Sequence, residues 1–93
     1  MIYATVSLKI TNPASLGEYR KHAADALAKH GGAVVVAAPK PTVLEGAPNV
    51  PDALVLLSFP DRDGAMAWIN DPDLADVHGY RRNAGTTEIL LLG

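Results

Sequence analysis

Ninety-three residues suffice for one domain, of a size whose single core buries a smaller share of the unfolded surface than a larger domain's does. With 8 basic and 10 acidic residues the formal charge is −2, so no field holds a polyanion, and no basic stripe or interleaved aromatics mark a nucleic-acid surface. Cysteine is absent, which excludes a disulfide framework, a thiolate nucleophile and thiolate metal sites.

The hydrophobic fraction of 48% and charged fraction of 19% are those of a globular chain rather than a disordered one. No basic segment leads into an apolar run at the N-terminus, and no stretch approaches the roughly 18 apolar residues of a membrane span. The chain therefore reads as cytoplasmic, with no membrane partner.

From Ile2 the pattern alternates: Ile2, Ala4, Val6, Leu8 and Ile10 face one way, Tyr3, Thr5, Ser7 and Lys9 the other, which predicts a strand with one strongly apolar face. Asn12-Pro13 supplies an N-cap and a first-turn proline, and Leu16, Tyr19, Ala23, Leu27 and His30 then recur at helical spacing. Gly31-Gly32 ends that helix. Ala33–Ala38 is β-branched at its centre and apolar on both faces, a second strand. Pro39-Lys40-Pro41 interrupts it, and Thr42–Glu45 is expected to continue its direction beyond a kink or bulge. Gly46–Pro51 is turn chemistry leading into Ala53–Phe59, a central strand apolar on both alternating sets except for Ser58. Pro60 ends that strand, and Asp61 caps a helix carrying Ala65, Trp68 and Ile69 on one side. Asp71-Pro72 restarts a shorter helical or irregular piece reaching Arg82, and Asn83-Ala84-Gly85 leads into Thr86–Leu92, the last strand.

The order strand, helix, strand, strand, helix, strand has no linker or repeat. With right-handed crossovers it gives an α+β, ferredoxin-like fold: a four-stranded antiparallel sheet with both helices on one side, spanning residues 1–93 as a single domain. Two helices cover one sheet face only, yet the second, third and fourth strands carry apolar residues on both. Each Val or Leu left in water forgoes roughly 1.5–3 kcal/mol of burial, and together they exceed the apolar patch that soluble monomers tolerate. The expected solution is a homodimer packed through its sheet faces.

Tyr19, His30-Gly31-Gly32, Leu44-Glu45-Gly46, Phe59-Pro60, Ala67-Trp68, Asp71-Pro72-Asp73, Arg81 and Leu92-Gly93, taken in order, resemble the bacterial domain-of-unknown-function family numbered 1330. That family belongs to the dimeric α/β-barrel superfamily, and the resemblance implies a ferredoxin-like protomer whose sheets pack into a dimeric barrel. Leu74 stands where the family usually has an aromatic, and Leu92 where it usually has Glu. The superfamily includes cofactor-free monooxygenases, muconolactone-type isomerases and haem enzymes, a range too broad to transfer an activity.

Among residues able to carry chemistry, Glu45 follows an apolar segment and precedes a glycine turn. Pointing between sheet and helices, it would be a desolvated general base; otherwise it caps the turn or pairs with Arg81. Tyr19, on the inward stripe of the first helix, either hydrogen-bonds a ligand or packs in the core, its hydroxyl reaching Glu45. Arg81 matches a family position and is suited to a two-toothed grip on a substrate carboxylate; a salt bridge to Glu45, Asp71 or Asp73 is the alternative. These three make the candidate catalytic set. Trp68 offers a pocket wall or a core anchor, while His30, in the last helical turn, and His78, before the last strand, complete the candidate ligand-binding set. No HxxxH or HxxE spacing appears, so no metal site is expected, and nothing singles out a haem ligand or other cofactor. Two functions follow: a small-molecule enzyme or binder of the dimeric α/β-barrel type, with cofactor-free proton transfer or oxygenation of an apolar or carboxylated metabolite as its chemistry, or a non-catalytic dimeric module whose polar cluster only stiffens the fold.

Overall fold

The computed structural model describes residues 1–93. The elements run β1 (Ile2–Ile10), α1 (Pro13–Ala28), β2 (Ala33–Pro39), β3 (Ala53–Phe59), α2 (Arg62–Asn70), a 3₁₀ turn (Pro72–Leu74), α3 (Ala75–Asn83) and β4 (Gly85–Leu92). The sheet has the order β2-β3-β1-β4, and every neighbouring pair is antiparallel. This is the ferredoxin-like α+β arrangement, with the expected final helical segment resolved into a 3₁₀ turn and α3. No helix is long and apolar enough to cross a membrane.

Local chemistry sets the boundaries. The Asn12 side chain accepts from the Ser15 N–H at 3.3 Å, and Pro13 occupies the first turn, where its missing donor costs nothing. At the other end of α1, Gly31 takes φ 73° and the Gly32 N–H donates back to the Leu27 carbonyl at 2.8 Å, a glycine-dependent C-terminal closure. Asp61 caps α2 through the Gly64 N–H at 2.8 Å, and Asp71 caps the 3₁₀ turn through the Asp73 N–H at 2.8 Å.

The core lies between the sheet and the helices. Ala4, Val6 and Leu8 of β1 and Leu57 and Phe59 of β3 are buried beneath Leu16, Ala26 and Leu27 of α1, Ala65 and Trp68 of α2, and Leu74. Residues paired in register share a face, so Tyr3, Thr5 and Ser7 lie on the opposite side with Leu54, Leu56, Leu90 and Leu92. On that side Leu90 is 68% and Leu92 53% exposed, and nothing in the chain covers them.

The helix α1 ends at Ala28, so that His30 lies in the turn after it rather than in its last turn, and two features of β2 also differ from the sequence reading. The bulge falls inside β2, where the register shifts between Val34 and Val36, earlier than the proline pair had suggested. Thr42–Glu45 does not resume the strand: Pro39 ends it, Lys40 turns into the left-handed region at φ 49°, and the prolines that follow remove the donors a ladder needs. Residues 40–52 form an irregular loop, tied down where Asp52 accepts from the Ile10 N–H at 2.8 Å and donates its own N–H to the Leu8 carbonyl at 2.9 Å.

Candidate functional site

A groove of about 330 Å³ opens between α1 and the β2–β3 half of the sheet, on the helix side. It exists because small side chains face one another there: Ala23 of α1 lies opposite Ala37 of β2 and Ala53 of β3, where larger residues would close the gap. Val6, Leu8, Leu16, Leu27, Val55 and Leu57 supply apolar walls. Arg20 is the lone charged residue of the lining, and Tyr19 adds an aromatic ring with a polar tip. The volume sits at the lower end of the roughly 300–1,000 Å³ typical of ligand pockets.

Behind Tyr19 lies a sealed polar cluster. Arg81 in α3 is 2% exposed, with its guanidinium 5.6 Å from the Tyr19 ring centre and 5.4 Å from that of Trp68. His78, one turn earlier and 1% exposed, stands edge-on to Trp68 at 4.8 Å. Its Nε2 is 2.8 Å from the Trp68 carbonyl, which can only accept. The ring proton is therefore on Nε2, and Nδ1 accepts from Arg81 Nη1 at 2.7 Å. Burial pushes the His78 imidazole below its ordinary range against the bond to the Trp68 carbonyl, and the charges of Arg81 and Arg82 push the same way as burial.

Arg81 has no counterion. The ion pairs of the chain are Lys21–Glu18, Lys29–Asp71, Lys29–Asp73 and His30–Asp71, so the salt bridge to Glu45, Asp71 or Asp73 weighed from the sequence is not formed. Nε of Arg81 and Nε1 of Trp68 are both buried without an acceptor. A guanidinium stays charged in a protein, and a buried charge left unpaired costs several kcal/mol. Two aromatic faces, each contributing about 2 kcal/mol when desolvated, offset part of that.

The remaining sequence candidates lie elsewhere. His30 Nε2 donates to Asp71 Oδ2 at 2.8 Å, and Lys29 Nζ reaches the same oxygen at 2.7 Å and Asp73 at 3.3 Å. Lys29, then His30 and the Asp73 N–H, hold the Asp71 carboxyl well below the usual carboxylate range. This cluster staples the end of α1 to the junction of α2 and the 3₁₀ turn, which accounts for the His30-Gly31-Gly32 and Asp71-Pro72-Asp73 segments structurally. Glu45 is exposed and groups with Ser7, Leu54 and Val50 on the open-face side of the sheet. The structure thus brings Tyr19, Trp68, His78 and Arg81 together, and leaves Glu45 and His30 outside that group. The missed feature was the union of His78 and Arg81, three residues apart and hence on one helix face. No cluster of residues suited to a metal ion is present.

Sheet, helices and groove define a ferredoxin-like α+β protein with a pocket between α1 and the sheet. The family described as "Domain of unknown function (DUF1330)" matches over residues 1–93, and the chain belongs to that family. Its fold is similar to that of the RPA0582 protein of unknown function from Rhodopseudomonas palustris, with a TM-score of 0.76 and 16% identity over 98% of this chain and 79% of that one. It is also similar to a dimeric ferredoxin-like protein of unknown function from Jannaschia sp. CCS1, with a TM-score of 0.68 and 15% identity over 99% of this chain and 97% of that one. An uncharacterized NIPSNAP domain protein from Burkholderia xenovorans aligns at a TM-score of 0.63 with 12% identity, over 100% of this chain and 93% of that one. Among curated proteins none matches.

Proposed function

We propose that the protein is a homodimeric small-molecule-binding protein whose ligand, small and largely apolar, occupies the groove between α1 and the β2–β3 half of the sheet. The observation that carries this is the groove itself: about 330 Å³ of apolar-walled space in a chain of this size, held open by alanines on three elements. A packed core has few voids larger than a water molecule, so a stiffening module has no use for such an opening. Binding is favoured over proton transfer because the lining contains no carboxylate and no histidine, and Glu45 lies across the sheet from it. The dimer is supported by the uncovered apolar sheet face and by the dimeric description of the Jannaschia protein.

The test is titration with octanamide, a neutral apolar probe. Saturable binding to the wild type is expected, with loss of it in Ala23→Phe, where a ring fills the groove, and no change in Glu45→Gln. Light scattering on Ala23→Phe should still give the wild-type mass. A wild type that shows no saturable binding, or an Ala23→Phe variant that binds as tightly, rejects the groove as the ligand site.

A further inference from the structure

We infer that the groove's ligand carries a carboxylate and that Arg81 is the cation that receives it. The inference rests on the groove being the ligand site and names the class of molecule it takes. Arg81 is sealed from solvent at 2% exposure, with one nitrogen on the neutral His78 ring and Nε facing no acceptor. Trp68 Nε1, on the indole beside that guanidinium, is a second buried donor with nothing to donate to. Two unsatisfied donors around one unneutralised cation lack the same thing: an acceptor bearing negative charge, with oxygens enough for both. No carboxylate of the chain supplies it.

Tyr19 connects this demand to the groove. Its side chain is part of the groove lining, and its ring is the face against which Arg81 rests. Tyr19 is thus the one side chain between groove and guanidinium, and the inferred binding mode requires it to rotate, the apolar tail then lying along Ala23 and Val55 with the head group in the place of the Tyr19 ring. Arg20 is the rival cation, because it lines the groove directly, whereas Arg81 stands behind Tyr19. It is exposed, where water and salt screen its charge, and its donors are free to bond solvent. The unmet donors are those of Arg81 and Trp68.

The experiment compares octanoate with octanamide, which share a tail and differ in charge. Trp68, the single tryptophan of the chain, reports by its emission on the head-group position. Octanoate is expected to bind the wild type about tenfold or more tightly than octanamide, as a charge-assisted contact in a dry site should, and to shift the Trp68 emission more than octanamide does. The preference should persist in Arg20→Gln and vanish in Arg81→Gln. Equal affinity for the two probes, an emission that octanoate leaves unmoved, a preference lost in Arg20→Gln, or one kept in Arg81→Gln would each overturn the assignment. Should Arg81→Gln not fold, the wild-type comparison, the emission and Arg20→Gln decide it. Octanamide binding without a preference for octanoate defeats this inference alone, whereas octanamide that does not bind defeats the groove reading and this inference with it.

Discussion

His78 shows how one buried side chain ties stability to pH. Its neutral form is required twice, because Nε2–H donates to the Trp68 carbonyl and Nδ1 accepts from Arg81. A second proton would remove the acceptor and set two cations against each other. Its folded pKa lies below the ordinary 6.5, so above that pH the ring is neutral whether the chain is folded or not. Below it the unfolded chain takes up a proton that the folded one resists, and stability falls as pH drops. Asp71 acts in a different window: its lowered carboxyl pKa gives a contribution fully present above the ordinary 3.8 and lost as pH falls below it. Thermal melts should therefore show a decline in Tm as pH falls below the ordinary imidazole value of 6.5 that is reduced in His78→Gln, whose amide offers a donor and an acceptor without titrating there. A variant with the wild-type slope would assign that decline to another group.

Among the elements, β1 and β4 show what alternation alone specifies. The apolar set of β1 was legible because one of its faces is buried and the other is not, and a strand's side-chain period of two leaves no second register that keeps both conditions. Asn12-Pro13, Gly31-Gly32 and Asp61 were legible for the same reason: each carries local chemistry with one use. Residues 40–52 were not, because Thr42-Val43-Leu44 has strand-like composition, while its fate depends on prolines on either side and on the anchoring of Asp52 to β1. The Tyr19–Trp68–Arg81 contact was also out of reach, since three separate helices supply it and helix spacing fixes only partners on one helix. Gly85 offers a sharp test at this scale. It sits at φ 152° opposite Ile10, and a Cβ there would lie 1.8 Å from the Lys9 carbonyl oxygen. Gly85→Ala must move backbone where the edge strand β4 joins β1. Urea denaturation should show a loss of at least about 2 kcal/mol, and a loss below about 0.5 kcal/mol would mean that the β1–β4 junction yields easily.

For the whole molecule, the decisive fact is that the sheet has two apolar faces and its own helices cover one. The open side presents Leu54 and Leu56 of β3, Val36 of β2 and Leu90 and Leu92 of β4 around the polar Thr5 and Ser7 of β1. Beside it the 40–52 loop holds out Leu44, 97% exposed. In the proposed homodimer a second copy related by a two-fold axis would meet this surface with the same surface, so that every apolar residue gained by one protomer is gained by the other. At roughly 1.5–3 kcal/mol per fully buried Leu or Val, a few such residues on each side outweigh the loss of independent motion on association. Leu90 is the most informative position because it is the most exposed of the large apolar strand residues on that face and lies away from the groove, on the opposite side of the sheet. At low micromolar concentration, size exclusion with light scattering should give about twice the 9.8 kDa chain mass for the wild type. Leu90→Glu places two like charges in the symmetric interface and should run as a folded monomer, its helical circular dichroism retained. A wild type that elutes as a monomer would leave the open face without its proposed cover, whereas a Leu90→Glu dimer would put the two-fold contact on a different surface, the exposed edge of β2 being the next available.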